Sequence, residues 1–173
     1  MTLETAKAAA DWLYQNYLMR EKLNLKSGIP NIYFFGGEPT LCYDSIVVPL
    51  VAYCKEKYPN FTFGMTTNGT LLNKERIDFL KENNFNLLLS IDGAKETQDY
   101  NRPCRDCKQS SFDLLEKNIP YLLQNFPNLC FRSTIYAPTV SYLFENYLYA
   151  ESLGFKYYEM IEDNRHEWNE EQK

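Results

Sequence analysis

The sequence predicts an α/β fold built on a parallel β-sheet. Five short apolar runs recur along the 173 residues, and stretches with helical spacing separate them. This α(βα)₄β pattern indicates strands that run parallel and are joined by right-handed helical crossovers. Small or polar residues follow the first three runs. Because ligands of such folds bind at the carboxyl ends of the strands, those residues are the first candidates for a functional site.

The chain is predicted to begin with a helix. An apolar stripe at helical spacing extends from Leu3 to Tyr17, and the Thr2 hydroxyl can cap the start of this helix. Near the other end of the chain, Gly154 suits the position that follows the last helix. The predicted strands cover residues 31–35, 61–65, 86–91, 129–136 and 155–161.

Residues that favour or interrupt helices indicate where the helices between the strands begin. Asn73 is a predicted N-cap, and Ser110 or Ser111 is predicted to cap a single helix that contains Pro120. Pro49 also falls within a helical pattern. Both prolines are expected to kink their helices or to delay their starts.

Composition bounds the class of protein. A length of 173 residues with 45% hydrophobic residues supports one core, so we predict one domain over residues 1–164 and a polar tail over residues 165–173. The net charge of −5 argues against a nucleic-acid or anionic-membrane partner. No apolar run approaches the ~20 residues of a membrane helix, and charged residues interrupt the amino-terminal segment, unlike a signal peptide. We therefore expect a soluble protein of the cytoplasm.

The first strand leads directly into Gly36-Gly37-Glu38-Pro39. Glycines let a ligand approach the backbone where a Cβ atom would block it, and Glu38 places a carboxylate at the end of a buried strand. This arrangement indicates a ligand that carries an amine or another cation.

The next two strand ends also carry residues that can form hydrogen bonds, in Thr66-Thr67-Asn68-Gly69-Thr70 and Ser90-Ile91-Asp92-Gly93. Arg132 interrupts the apolar run at 129–136, so its guanidinium is expected to point toward the same cavity. Arg132 and Ser90 could hold an anionic group while Glu38 holds a cationic one. The strand ends together therefore predict a site for a zwitterion.

In their order and spacing, these segments resemble radical S-adenosylmethionine (radical SAM) enzymes, in particular the anaerobic sulfatase-maturase and SPASM-associated peptide-modifying branch. The resemblance rests on the three strand ends, on Asp99-Tyr100-Asn101-Arg102-Pro103 and on the strand with Arg132, and it covers residues 2–162. It implies a partial (β/α)₆ TIM-like barrel with parallel strands whose first strand is missing.

The resemblance also implies a site for S-adenosylmethionine. Within that site, Gly36, Gly37 and Glu38 would bind the methionyl amino group. Ser90 and Arg132 would contact the methionyl carboxylate or the ribose. The full set of implied cofactor-binding residues is Gly36, Gly37, Glu38, Thr67, Asn68, Ser90, Asp92 and Arg132.

Each of these segments also has a purely structural interpretation. Gly36-Gly37-Glu38-Pro39 could be a turn after a strand, Asn68-Gly69 is a common turn pair, and Asp92-Gly93 could be a turn that caps a strand. Arg132 could pair with a structural carboxylate, and Arg102 is expected to be a loop residue paired with a nearby acid. The joint order of the segments on successive strand ends favours the family.

The cysteines do not match the family's cluster motif. Its [4Fe-4S] cluster is held by a Cys-x-x-x-Cys-x-x-Cys loop, which this sequence lacks. Cys104-Arg105-Asp106-Cys107 offers too few ligands for a cluster or zinc, and the only histidine, His166, lies in the polar tail. We expect two free surface thiols there, with a metal site completed by another segment as the alternative, and predict no metal ligand. The cysteines expected to pack in the core are Cys42, Cys54 and Cys130.

The principal hypothesis is therefore a fragment of a radical SAM enzyme, truncated before its first strand. A complete relative would reductively cleave S-adenosylmethionine to a 5′-deoxyadenosyl radical and modify a peptide or protein substrate. The chain alone is expected to be inactive because the cluster loop is absent. The alternative is a non-catalytic module that binds S-adenosylmethionine or another nucleotide. An ordinary partial-barrel hydrolase or aldolase is disfavoured because no strand end offers a catalytic Lys or His.

The missing first strand has a mechanical consequence. Residues 31–35 would form an unprotected edge of the sheet, rich in aromatic and branched side chains. Such edges pair with other chains, so self-association through this edge is expected.

Overall fold

The computed structural model describes residues 1–105, 109–164, 167–170 and 172. It shows an α/β fold with five parallel strands. The strands are β1 (Asn31–Phe34), β2 (Thr62–Thr67), β3 (Phe85–Ser90), β4 (Cys130–Ile135) and β5 (Tyr157–Glu162). All five predicted strands are present, and their ends lie within two residues of the predicted ones.

The helices between the strands are α1 (Leu3–Lys22), α2 (Val48–Lys57), α3 (Lys74–Glu82), α4 (Lys95–Asn101), α5 (Ser111–Glu116), α6 (Ile119–Asn125) and α7 (Leu143–Ser152). Two 3₁₀ segments, Pro39–Cys42 and Ala137–Tyr142, and one π-helical turn, Tyr43–Val47, complete the regular structure of the described residues. No helix in this part of the chain combines the length and the apolar character needed to cross a membrane.

The predicted helix ends are confirmed where the signal is local. The Thr2 hydroxyl accepts a hydrogen bond from the Thr5 N–H at 3.2 Å, and Ser110 caps α5 by accepting from the Asp113 N–H at 3.0 Å. The Asn73 side chain accepts from the Arg76 N–H at 2.9 Å. Gly154 follows α7 with a φ of 95°, which is the left-handed conformation that glycine tolerates best.

The single helix predicted around Pro120 is wrong, because the structure has two. α5 ends at Glu116 and α6 begins at Ile119. A proline inside a helix clashes with the carbonyl four residues earlier, here that of Glu116, so the chain restarts and places Pro120 in the first turn of α6. Pro49 lies in the first turn of α2 for the same reason.

The chain forms two compact units: residues 1–66 with 80–86, and residues 67–79 with 87–173. The predicted boundary between residues 164 and 165 stays a prediction. In the described part of the predicted tail, the Trp168 indole N–H donates to the Asp163 carbonyl oxygen at 3.0 Å.

In the first unit, β1 pairs with β2 in parallel. Tyr33 lies beside Gly64 in this register, and the Tyr33 ring occupies the space where Gly64 has no side chain. A Cβ atom on Gly64 would stand 2.5 Å from the ring. The Tyr33 hydroxyl is within hydrogen-bond distance of Thr66 Oγ1, at 2.9 Å, which fixes the orientation of the ring.

Asp11 connects α1 with α2 in the first unit. Its Oδ1 accepts hydrogen bonds from the hydroxyls of Tyr53 at 2.7 Å and Tyr58 at 2.5 Å, and Lys57 Nζ lies 3.1 Å from both carboxylate oxygens. The Tyr58 and Tyr53 hydrogen bonds hold the pKa of Asp11 below its usual value of 3.8. Burial and the bond to Asp11 raise the pKa of Tyr58 to about 12.

We expect Asp11→Asn to lower the free energy of unfolding by about 1 kcal/mol near neutral pH, because the charged acceptor is lost at a partly exposed site. Since the folded pKa of Asp11 is depressed, its contribution is complete above the unfolded pKa and is lost as the pH falls through the folded pKa. Urea denaturation between about pH 7 and pH 2 should therefore show the gap to wild type closing below about pH 4. Glu56→Gln, at an exposed position of α2, is the control and should show no comparable gap. A gap that stays constant down to the lowest pH would contradict the assignment.

In the second unit, β3, β4 and β5 pair in parallel. Leu89 lies beside Phe131, and Phe131 lies beside Tyr158. Leu89 and Phe131 are fully buried, and the Phe131 ring meets Phe155 edge-on at 5.3 Å. This packing supports the carboxyl ends of β3 and β4, where several candidate site residues lie.

Candidate functional site

The carboxyl end of β1 is shaped by its two glycines. Gly36 has a φ of 147°, a conformation that side-chain-bearing residues rarely adopt. Gly37 has an ordinary φ, and a Cβ atom built on either glycine would meet no heavy atom within 4 Å. The backbone of this turn therefore faces open space, where a ligand can approach it closely.

Glu38 follows this turn and caps the 3₁₀ segment Pro39–Cys42. Its Oε1 accepts hydrogen bonds from the Thr40 N–H at 3.0 Å and from the Thr40 hydroxyl at 2.6 Å. Thr40 is only 2% exposed, so the carboxylate is tied to a buried part of the first unit. This anchoring fixes the negative charge at the end of β1.

A cavity of about 470 Å³ opens beside this turn, entirely within the first unit. Small side chains of α1, including Ala6, Ala9 and Ala10, leave the space that β1 and the following turn enclose. Glu38 supplies a carboxylate to a wall that is otherwise mostly apolar. The volume is typical of small-molecule sites, and the lining suits a ligand with one cationic group and an apolar body.

In the second unit, Thr67 ends β2 and Asn68 begins the turn that follows. The Thr67 hydroxyl oxygen accepts from the Gly69 N–H at 3.0 Å. The Asn68 side-chain oxygen accepts from both the N–H and the hydroxyl of Thr70, at 3.0 and 2.8 Å. Asn68-Gly69 therefore forms a turn in the structure, as its structural interpretation predicts.

Asp92, at the end of β3, is held by partners from several segments of the second unit. Its side chain is fully buried and accepts two parallel hydrogen bonds from Arg102, at 2.8 and 2.9 Å. The Thr134 N–H donates to the same carboxylate at 2.9 Å, while the Ser133 hydroxyl donates to the Asp92 carbonyl oxygen at 3.1 Å. The Asp92 N–H donates to the Gln98 side chain at 2.8 Å. The expectation that Arg102 pairs with a nearby acid is confirmed, and that acid is Asp92.

Ser90 and Arg132 are register partners on β3 and β4, so the structure brings these two predicted residues together. The Ser90 hydroxyl makes no hydrogen bond with another described residue. Arg132 Nε lies 3.7 Å from Glu159 Oε2 on β5, and both side chains are partly exposed. Arg132 thus has the carboxylate partner that its structural interpretation requires.

The burial and bonding of the cysteines agree only in part with what the sequence predicts. Cys54 is fully buried, and burial raises its pKa to about 11, as suits a core residue. Cys42 is exposed at the end of the 3₁₀ segment, where it lines the cavity, so its predicted core position is wrong. Cys104 is disulfide-bonded, so the free thiol expected there is wrong, and Cys107 lies outside the described residues.

Two residues near the candidate sites were missed by sequence reasoning. Thr40 holds Glu38 in place, and a carboxylate followed by proline and threonine is a usable signal for such a cap. Asn146 accepts from the Ala94 N–H at 3.0 Å and donates to the Thr97 hydroxyl oxygen at 3.0 Å. In the sequence, Asn146 could have been noticed as a single amide side chain within a helical stretch that is rich in aromatic residues.

The chain belongs to the Radical SAM superfamily, whose sequence profile matches residues 7–142. An uncharacterized protein of Methanocaldococcus jannaschii is 33% identical over 160 residues, which are 90% of this chain and 51% of that protein. A cysteine-type anaerobic sulfatase-maturating enzyme of Clostridium novyi is 36% identical over 92 residues, which are 51% of this chain and 24% of the enzyme. The chain therefore spans about half, or less, of the length of these relatives.

The fold is that of a partial radical SAM TIM-like barrel. Native anSMEcpe with bound AdoMet (S-adenosylmethionine) and Kp18Cys peptide superposes with a TM-score of 0.71 and 26% identity, over 85% of this chain and 43% of that chain. The resemblance and the fold class expected from the sequence are thereby confirmed. The cofactor and the peptide in that structure are properties of the relative.

Proposed function

We propose that this chain is part of a radical SAM core that binds S-adenosylmethionine and serves the modification of a peptide or protein. The observation that carries the proposal is the open glycine turn at the end of β1, with the anchored Glu38 at the wall of a 470 Å³ cavity. The sulfatase-maturating relatives and the AdoMet-bound and peptide-bound structure support it.

In this proposal, Gly36, Gly37 and Glu38 bind the methionyl amino group. The turn offers its backbone at a place where no side chain intervenes, and the Glu38 carboxylate complements an ammonium group. The apolar wall that α1 contributes excludes water from the rest of the ligand.

Ser90 and Arg132 are proposed contacts to the methionyl carboxylate or the ribose, with Thr67 and Asn68 in lesser roles. The three hydrogen bonds to the Asp92 carboxylate favour a different role for this residue. We assign it to positioning the ends of β3 and β4, because Arg102 and Thr134 already occupy its carboxylate.

The residues fit S-adenosylmethionine but not its usual iron-sulfur partner. Bound S-adenosylmethionine would supply the radical chemistry of the superfamily only with one electron from an iron-sulfur cluster. In the described parts of the chain, no group of three or more His, Cys, Asp or Glu side chains is placed to hold a metal ion. The sequence also lacks a Cys-x-x-x-Cys-x-x-Cys motif, so we propose that the chain does not catalyse the reaction by itself.

The test uses the small number of glycines. A chain labelled with [¹⁵N]glycine has seven glycine amides, which a two-dimensional NMR spectrum can resolve. On titration with S-adenosylmethionine, we expect the signals of Gly36 and Gly37 to shift, while those of Gly28 and Gly154 stay in place. Shifts at the latter two alone, or none at all with millimolar ligand, would refute the proposed site.

A matched pair of variants gives the second readout. Gly37→Val places a branched side chain where the ligand would lie and should weaken binding at least about tenfold, since it takes the ligand's place. Gly28→Val is the control, because Gly28 also has no neighbour within 4 Å of a built Cβ atom and does not line the cavity. Equal affinity of the two variants would contradict the assignment.

The affinity separates the main proposal from a non-catalytic binding module. Micromolar binding of S-adenosylmethionine by the iron-free chain favours the module, because such a protein would bind the cofactor without an iron-sulfur cluster. Binding that calorimetry does not detect but that millimolar titration reveals favours a part of an enzyme.

A further inference from the structure

A second cavity, of about 290 Å³, lies within the second unit and plays no part in the proposed cofactor site. It is bounded by α4, which follows β3, and by the 3₁₀ segment Ala137–Tyr142, which follows β4. It therefore lies on elements that follow the carboxyl ends of two neighbouring parallel strands. Its lining consists of Glu96, Thr97, Tyr100, Pro138, Thr139 and Tyr142.

Two exposed aromatic side chains line this cavity. Tyr100 is 63% exposed and Tyr142 is 52% exposed. Neither hydroxyl forms a hydrogen bond with any residue that the structure describes. By contrast, the hydroxyls of Tyr53 and Tyr121 each bind a carboxylate. Tyr100 and Tyr142 thus offer aromatic faces and phenol groups that the fold itself does not use.

Glu96 gives this cavity a negative charge. The carboxylate of Glu96 forms no ion pair or hydrogen bond with a described residue. Two basic residues of α4 and its carboxyl end already have acidic partners. Lys95 pairs with Asp113 and Asp99, and Arg102 pairs with Asp92.

The two threonines of the lining are fixed in place. Thr97 and Thr139 are only 4% and 7% exposed. Thr97 accepts a hydrogen bond from the Asn146 side chain at 3.0 Å, and Thr139 donates to the Asn101 side-chain oxygen at 3.2 Å. The aromatic and acidic side chains therefore stand on a preorganised base, which lowers the entropic cost of binding.

We propose that this cavity binds the side chain of an arginine in a peptide or protein segment. Its volume lies just below the range of sites for drug-sized ligands, so it suits one side chain rather than a whole small molecule. A guanidinium group stacks on tyrosine faces and forms paired hydrogen bonds with a carboxylate. Tyr100, Tyr142 and Glu96 supply those partners. The inference does not depend on S-adenosylmethionine binding.

The experiment compares an arginine peptide with a neutral isostere and with a lysine peptide. The uniformly ¹⁵N-labelled chain is titrated with acetyl-Gly-Ser-Arg-Ser-Gly-amide and with the same peptide carrying citrulline, the neutral isostere of arginine. The arginine peptide should shift the amide signals of Glu96, Thr97 and Thr139. The citrulline peptide should leave them in place, and a lysine peptide should bind more weakly than the arginine peptide.

Variants then test the individual partners. Glu96→Gln and Tyr100→Leu should each weaken binding about two- to fivefold, the range expected for an exposed ion pair and an exposed cation–π contact. Their controls are Glu56→Gln and Tyr157→Leu, which change an exposed acid and a half-exposed tyrosine elsewhere and should leave the affinity unchanged. Equal binding of the citrulline peptide, shifts confined to other residues, or full affinity of Glu96→Gln would overturn the proposal.

Discussion

Asp92→Ala is expected to lower the free energy of unfolding by about 3 kcal/mol, because it removes a fully buried carboxylate from the partly buried guanidinium of Arg102. The Asp92 side chain is fully buried, and Arg102 donates to both of its oxygens. The substitution also leaves the Thr134 N–H without its acceptor. Domains commonly have about 5–15 kcal/mol of stability, so the loss is a large share of the total. Urea denaturation followed by circular dichroism measures it.

An exposed ion pair of the same unit provides the control for this result. Asp113 pairs with Lys95, and its side chain is 60% exposed. Asp113→Ala should therefore cost less than about 1 kcal/mol. Asp92→Asn should fall between the two alanine variants, because it keeps an acceptor oxygen but loses the charge. Equal denaturation midpoints for Asp92→Ala and Asp113→Ala would show that Asp92 does not hold the strand ends together.

Gly69→Ala should lower the free energy of unfolding by about 2–4 kcal/mol, through backbone strain and overpacking together. Gly69 has a φ of 72°, and its Cβ atom would stand 2.5 Å from Leu115 Cδ1 and 2.8 Å from Leu89 Cδ1. Both leucines are fully buried and cannot move aside freely. Urea denaturation of the variant against wild type measures the loss.

Gly154→Ala separates backbone strain from overpacking as causes of the lost stability. Gly154 also has a positive φ, of 95°, but the nearest atom to its Cβ position is 4.0 Å away. This variant should lose only the strain, about 1 kcal/mol. If both alanine variants lose the same amount, the close packing around Gly69 does not contribute.

The elements of the fold were predictable from the sequence because their signals are local. Each strand is a short apolar run, and the hydroxyls of Thr2 and Ser110 cap the helices that follow them. The break between α5 and α6 was also encoded locally, in Pro120, but the apolar spacing across it suggested one helix. The exposure of Cys42 was not predictable, because it depends on how the 3₁₀ segment faces the cavity.

The candidate site was predictable only in part. The glycine turn and Glu38 were identified from their order along the chain, and they do line a cavity. The role of Asp92 depends on contacts with residues distant in sequence, such as Thr134, which no single-sequence pattern reveals. The cavity lined by Tyr100 and Tyr142 was missed for the same reason, since these two residues come together only in the folded chain.

The contact between Tyr33 and Gly64 has a consequence for the way this sequence can change over evolutionary time. Position 64 can acquire a side chain only if the ring at position 33 moves or is replaced, because the two would occupy the same volume. A smaller residue at position 33 would in turn leave a gap over the strand unless position 64 grew to fill it. The two positions are therefore expected to change together. Among homologous sequences, the summed volume of their two side chains should vary less than the identity of the residue at either position.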